Sequence, residues 1–430
     1  MGLLADDSSK TTVLQVNDYN IEFDIATQKL EDILNRKLNG IVLVDQKILA
    51  KNQNKKIQGD RFKQVICDYS NPVSIIKALK PYLDSLLVVN ASSERNQPYY
   101  KKLIPHLSYI KTPTESSITW ATHKDQMRNM LHTYSADISP STFKIEESNY
   151  KTELEQFRNS KFPLISKPVG LAASILVKRA DSYEQLLNNV EESFREIHEI
   201  YKRYRGRGDP SLLIEQFMEG DMYSVDAYID SDGNSWVLPP VKVTTAASIG
   251  LEGYYSYNLD TNHGLDQHEI SELNDVAVKS MHALCLKNSA AHIELFNTRD
   301  GWKIIELGPR AGGYRQDMYS RAYNIDHALN ELLIKIGKKP IINTKQINSC
   351  EAFNIYADKE GLIKSINGIE EAKSLNGIHR LTCFAKPGDM SIFCGNGGNF
   401  IVDGVVYGKN KSETSELVSK IRDLIKIEVY

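Results

Sequence analysis

The sequence predicts a mixed α/β and α+β chain in three parts, and three observations carry that prediction. From residue 12 to about 110, short β-branched runs alternate with helical stretches. From about 115 to 340, amphipathic helices are interleaved with strand-like runs, and two runs near the end each hold one acid among apolar residues. From about 345 the chain is rich in short β runs and closes on a helix. Its 430 residues exceed one ordinary core and suit several domains.

Composition narrows the class. Hydrophobic residues at 41% and charged residues at 25% are globular values. The net charge of −3, with both signs mixed, gives no reason to expect a nucleic-acid partner. The basic run KRYRGR (202–207) reads as a solvated helix end. No apolar run approaches the ~18 residues a membrane helix needs. The start, MGLLADDSSK, lacks the basic-then-apolar pattern of a signal peptide, and Asp6 stands where a myristoylation signal has Ser or Thr. Five scattered cysteines without a CxxC pair point to reduced thiols and a cytoplasmic protein.

In chain order, VLQV (13–16), IVLV (41–44), QVIC (64–67) and LLVV (86–89) read as buried parallel strands. Helices at 26–37 and 72–83 lie between them, giving a small open α/β domain without a GxGxxG dinucleotide fingerprint. A helix is expected over 120–134, then two strands around a loop in FPLISKPVGLAASILVKRA (162–180). Ser182 and Gln185 have capping-box spacing and open a long helix with apolar Leu186, Val190, Phe194, Ile197 and Tyr201. SLLIEQFMEG (211–220), MYSVDAYI (222–229) and SWVLPPVKVTT (235–245) read as strands, and 272–286 as an amphipathic helix. CGNGGNF (394–400) has no following GK[ST] and reads as a turn. A last helix is expected over 412–427.

The segment HIELFNTRDGWKIIEL supports a register argument. A three-residue loop, Arg299 to Gly301, pairs Thr298 with Trp302, and counting outward sets Glu294 opposite Glu306. Directly opposed side chains sit about 5 Å apart at Cβ, where two like charges repel. Protonation of one acid or a cation between them removes the conflict, and Mg²⁺ takes one or two protein carboxylates with phosphate oxygens completing its shell. The plain alternative, that both acids face solvent, is weakened by apolar neighbours on both sides. His292 alternates onto the Glu294 face, where a core histidine is the simpler expectation. Arg310, four residues past Glu306 and set among Gly308, Gly312 and Gly313, suits a phosphoryl or acyl-phosphate oxygen held bidentately.

On these residues the chain resembles the ATP-grasp carboxylate–amine ligases. The family pattern of a strand glutamate, a turn, then Glu-x-Asn-Pro-Arg-x-Gly-Gly stands here as Glu294, NTRDG and ELGPRAGG. SKPVGLAASILV (166–177) is similar to the family's Lys-Pro, small-residue loop, Ser and apolar strand. LIEQFMEGDMYSVD (213–226) is similar to the adenine-binding hinge, and WATHKDQMR (120–128) to the helix with an early ATP lysine. Within the family, the amino-acid and dipeptide ligases look nearest. The resemblance implies a Rossmann-like pre-ATP-grasp domain over 1–114 and an ATP-grasp core over 115–340, with a mobile lid at about 150–215. A C-terminal β-rich domain would take 341–430.

The implied chemistry uses ATP with Mg²⁺, or Mn²⁺ in its place. A small-molecule carboxylate becomes an acyl phosphate, an amine attacks it, and ADP and phosphate leave. Amino acids are the expected substrates, and homodimers are common in the family. Glu294 and Glu306 would hold metal, and Lys124 and Lys167 would contact phosphates. The loop from Gly170 to Ser174 would fold over them. Glu215 would accept from the adenine amino group, with Phe217 in the hinge and Met218 bonding through its backbone. Asp221 would stand in for a ribose-binding Glu replaced by Met222, although its side chain belongs to the other face of the strand. Lys242 would lie near the transferred phosphate, and Arg310 would hold the carboxylate or acyl phosphate. Gly308 departs from the family Asn, which weakens the second metal's hold. A purine-pathway formyl or carboxyl transfer enzyme and an ATP-binding regulatory protein without turnover are the other readings.

Overall fold

The computed structural model describes residues 9–51, 61–171, 175–204, 206–245, 248, 256–393, 398 and 400–430. The chain begins with β1 (Thr12–Val16), α1 (Ile21–Leu34), β2 (Asn39–Asp45), α2 (Gln46–Lys51), β3 (Phe62–Cys67), α3 (Pro72–Leu79), β4 (Leu86–Asn90) and α4 (Gln97–Leu103). It continues with α5 (Glu115–Thr122), α6 (Lys124–Tyr134), β5 (Thr142–Ile145), α7 (Tyr150–Leu154), β6 (Leu164–Pro168), β7 (Lys178–Ala180), α8 (Tyr183–Tyr204) and β8 (Leu212–Gln216). Then come β9 (Asp221–Ile229), β10 (Ser235–Val237), β11 (Val241–Thr245), β12 (Ser256–Asp260), α9 (Gln267–Ala283), β13 (Ser289–Thr298), β14 (Gly301–Gly308), α10 (Arg315–Tyr323) and α11 (His327–Lys335). The tail holds β15 (Ser349–Ile355), β16 (Gly361–Asn367), α12 (Ile369–Lys373), β17 (Ile378–Cys383), β18 (Met390–Ser391), β19 (Val402–Gly408), α13 (Lys411–Leu424) and β20 (Lys426–Val429).

The first four strands form a parallel sheet in the order β3-β2-β1-β4. It is buried on both faces, as its unbroken apolar strands require, with Leu14 and Ile41 in one core and Val13 and Val42 in the other. Helix α1 starts before the expected stretch because Asn20 accepts from the Glu22 amide, and it ends at Asn35 in a left-handed conformation. The helix expected over 120–134 is two helices. The chain is extended at His123, so α6 begins afresh at Lys124 and points its first turn at the site.

A small antiparallel sheet, β5-β8-β6-β7, backs onto α8 through Leu164, Leu186, Val190, Phe194 and Ile197. The main sheet has nine strands along β14-β13-β9-β11-β12-β15-β19-β17, with β10 added on β9. The tail is β-rich as expected, yet it is continuous with the centre, because β12 pairs with β15 from Asn258–Phe353 to Asp260–Glu351. That ladder covers what would otherwise be an open sheet edge. Strand β14 remains an edge. No helix among the described residues is long and apolar enough to cross a membrane.

Candidate active site

The acid pair is real, and the register that produces it differs from the expectation. Thr298 pairs with Gly301, Asn297 with Trp302 and Leu295 with Ile304, one residue off the sequence reading. Gly301 at φ +88° closes a tighter loop than the three-residue one expected. Continued regularly, that register sets Glu294 against Ile305 and Ile293 against Glu306. A β-bulge at Ile305 intervenes, and Glu294 meets Glu306 after all. Burial records the same slip. Ile304 and Leu307, three residues apart, both enter the core that holds Ile293 and Leu295. In a regular strand they would face opposite ways.

Both acids are half-open, with side-chain exposures of 22% for Glu294 and 38% for Glu306. Lys124 Nζ lies 3.4 Å from Glu306 Oε2 and also donates to the Leu171 carbonyl at 2.7 Å. Burial pushes the Glu306 carboxyl up, and Lys124, Lys167 and Arg310 together outweigh it and hold it below its ordinary value.

Behind this pair lies a buried hub. Lys167, at the end of β6, sits diagonally across the ladder from Glu215 on β8, with Nζ–Oε2 at 2.6 Å. Arg128, one turn after Lys124 on α6, donates Nε to Glu215 Oε1 at 2.7 Å and Nη2 to Oε2 at 3.3 Å. Thr142 adds a hydroxyl at 3.3 Å. Burial raises the Glu215 carboxyl, but the two cations overcome it and hold it at about 2. Lys167, desolvated and facing Arg128 and Lys124, is lowered to about 8. Glu215 is 1% exposed and its four acceptor positions are filled. The resemblance implied a bond from Glu215 to an adenine amino group; in this structure Glu215 anchors two cations.

Arg310 lies in the turn after β14 and is held by a residue the sequence reading missed. Its Nε is 3.2 Å from Glu94 Oε2, while Arg207 Nη1 is 2.9 Å from Glu94 Oε1. Gly308 makes room for this contact, since a Cβ there would lie 3.0 Å from Glu94 Oε2. The following glycines are braced by Asp226, wholly buried on β9. It accepts from Gly312 N at 2.7 Å and bonds His292 Nδ1 and His327 Nε2, both at 2.6 Å. His292 Nε2 then reaches Glu294 Oε1 at 3.5 Å. Burial raises the Asp226 carboxyl, but the two imidazoles hold it well below its ordinary value. His292 is thus more than core filling: it braces one of the paired acids. Only the tertiary fold reveals the roles of Glu94, which carries no local motif, and of Asp226 and Arg128, which end two of the quoted segments without being singled out there.

The structure does not bring Lys242 to the acids. Lys242 shares a row with Tyr223 and Leu295, whereas Glu294 shares one with Ser224 and Val241. Adjacent rows of a sheet face opposite ways. Lys242 Nζ instead meets Asp221 Oδ2 at 2.8 Å, and the same parity carries Asp221 away from the pair, as its place in the strand predicted. In the hinge, Phe217 N donates to the Pro163 carbonyl at 3.3 Å, Arg179 lies 4.6 Å over its ring, and Met218 is half-buried. Ser174 lies outside the described residues.

Among the described residues, no three His, Cys, Asp or Glu side chains converge into a group that could hold a metal alone. Two half-open hard carboxylates fit Mg²⁺, which leaves most of its shell to water and phosphate. Lys124 beside Glu306, with Lys167 and Arg310 near it, fits an anionic ligand.

Comparison with known proteins bears on the fold and its domains. Residues 160–317 match the ATP-grasp domain family, and 354–430 match the L-amino acid ligase C-terminal domain 2 family. The central part of the chain is thus similar to ATP-grasp domains. Its C-terminal part is similar to a domain of L-amino acid ligases. It aligns over 98% of its length with 99% of an L-amino acid ligase from Bacillus licheniformis, at TM-score 0.74 and 14% identity. A phosphoribosylglycinamide synthetase from Anaerococcus prevotii aligns over 98% of this chain and 100% of its own, at TM-score 0.66 and 17% identity. At such identities the likeness bears on the fold. An uncharacterized protein of Sinorhizobium fredii is 23% identical over 43% of this chain, and a D-alanine–D-alanine ligase of Buchnera aphidicola 22% identical over 45%. The matched regions span 37% and 60% of those two proteins.

Proposed function

We propose that this chain joins a carboxylate to an amine at the expense of ATP, with amino acids as substrates and an acyl phosphate between them. The observation that carries the reading is the bulge-enforced pair Glu294 and Glu306, with Lys124 beside it and Arg310 on the turn four residues on. The C-terminal domain match favours amino acids over purine precursors.

Glu294 and Glu306 would hold Mg²⁺, which when bound neutralises phosphate charge during transfer. Lys124 and Lys167 attract the phosphates as point charges from two sides of the cleft. The hinge main chain at Met218 takes the adenine, since Glu215 is occupied. Arg310 exchanges Glu94 for the substrate carboxylate and then steadies the oxygens of its acyl phosphate. His292, held by Asp226, keeps Glu294 from turning away. The setting is cytoplasmic, and the active form a homodimer.

The test is ADP and phosphate release from Mg²⁺-ATP against amino acids singly and in pairs, with mass spectrometry of products. Release that requires two amino acids, with a mass equal to their sum less one water, establishes the reaction. ATP binding without release across the panel refutes amino acids as the substrates.

A further inference from the structure

Arg128 makes contacts that neither the phosphate site nor the core requires. Its side chain is 2% exposed on α6. Besides gripping Glu215, it donates Nη1 to the Ile304 carbonyl at 2.9 Å and Nη2 to the Ile305 carbonyl at 2.8 Å. Four donor contacts radiate from one planar group.

Successive carbonyls of a regular strand point to opposite sides. One guanidinium can reach two in succession only where the strand is irregular, and Ile304 and Ile305 lie at the bulge. Since β14 is an edge strand, its outward carbonyls have no neighbouring strand among the described residues to satisfy them. Arg128 supplies the missing donors at the place where the register slips. The slip, in turn, is what turns Glu306 toward Glu294.

We propose that Arg128 is a positioning residue that fixes the bulge at Ile305, and through it the metal-binding geometry of Glu294 and Glu306. It touches neither acid. Its second grip, on Glu215, links that geometry to Lys167 across the cleft. The inference rests on the metal reading of the acid pair given above. Lysine cannot replace arginine here, because one ammonium on a flexible stem lacks the fork that spans a carboxylate and two carbonyls.

The experiment measures Mn²⁺ binding by the ADP-loaded full chain, from the Mn²⁺ resonance signal, and ADP binding in excess chelator by calorimetry. Arg128→Lys is expected to weaken Mn²⁺ binding about 10–100-fold, as losing the support of a metal ligand does, with a much smaller change in metal-free ADP affinity. A second background isolates the cause. Deleting Ile305 removes the extra residue, so a regular hairpin pairs Glu294 with Glu306 unaided. On that background Arg128→Lys should leave Mn²⁺ affinity within about twofold, a smaller change than any second-shell loss.

Wild-type Mn²⁺ affinity in Arg128→Lys, or the same loss on both backgrounds, overturns the proposal. Should Arg128→Lys fail to melt cooperatively alone yet fold on the deletion background, the bulge is what needed it, and the proposal stands. Failure to fold on both backgrounds overturns it in favour of a general core role. If the wild-type chain binds ADP but no Mn²⁺ with it, the metal reading itself fails, a result distinct from all of these.

Discussion

Glu215 and Glu306 are both acids set in apolar strands beside one cleft, and the structure treats them in opposite ways. Glu215 is 1% exposed and meets a guanidinium and an ammonium at 2.7 and 2.6 Å. Glu306 stays half-open, faces a second acid across the ladder, and has a lysine at 3.4 Å. The first acid is fully compensated by its own protein and is part of the framework. The second belongs to a pair with uncompensated negative charge, which a divalent cation can balance.

The largest expected effect separates the two acids by readout. Glu306→Gln should lower ADP release more than about 100-fold by removing a metal ligand. Its folding stability should hold or rise by about 0.2–1 kcal/mol, because an opposed like charge is gone. Glu215→Gln should instead cost about 3–5 kcal/mol in denaturant unfolding, since two buried cations lose their counter-ion. Equal stability losses in the two variants would erase the distinction.

Acid titration comes next. Glu215 is held at about 2 against an ordinary 4.5, so its stabilisation is present above pH 4.5 and is lost as pH falls toward 2. The loss should be roughly 3 kcal/mol in the wild type and absent in Glu215→Gln, read from unfolding midpoints between those limits. On the alkaline side, Lys167 sits at about 8, below the 10.5 of an ordinary lysine. Its positive charge is present below that value and disappears as pH rises through it. ADP affinity should therefore start to fall near pH 8, by up to about tenfold per unit, and Lys167→Met should flatten the profile. A wild-type profile flat to pH 10 would place Lys167 outside the phosphate site.

A smaller effect is expected at the brace behind Glu294. A Cβ on Gly312 would fall 2.4 Å from His292 Nδ1, which Asp226 holds at 2.6 Å. Gly312→Ala should cost about 1–3 kcal/mol of stability and raise the Mg²⁺ needed for half-maximal turnover. An unchanged Mg²⁺ requirement would show that Glu294 needs no support from His292.

Much of this was legible in the sequence. Hydrophobic period marked the four parallel strands, and Ser182 accepts from the Gln185 amide at the start of α8, as its spacing predicted. Glu294, Glu306 and Arg310 stood out because acids and an arginine in apolar runs demand an explanation. The hairpin shows the limit. The expected pair of acids is present, yet by a tighter loop and a compensating bulge rather than by the regular count. Lys242 shows it again: the resemblance implied a place near the transferred phosphate, and strand parity turns it toward Asp221.

By itself the sequence determined the elements, their class and the residues with chemistry to offer, because period, capping and charge in apolar runs act between near neighbours. Tertiary structure alone decided which of them meet. Glu94 reaches Arg310 across 216 positions, Arg128 reaches the Ile304 carbonyl across 176, and Asp226 reaches His327 across 101. Such contacts depend on sheet order, strand parity and one extra residue in an edge strand. No local pattern encodes these, because the free energy that selects them comes from packing distant segments together.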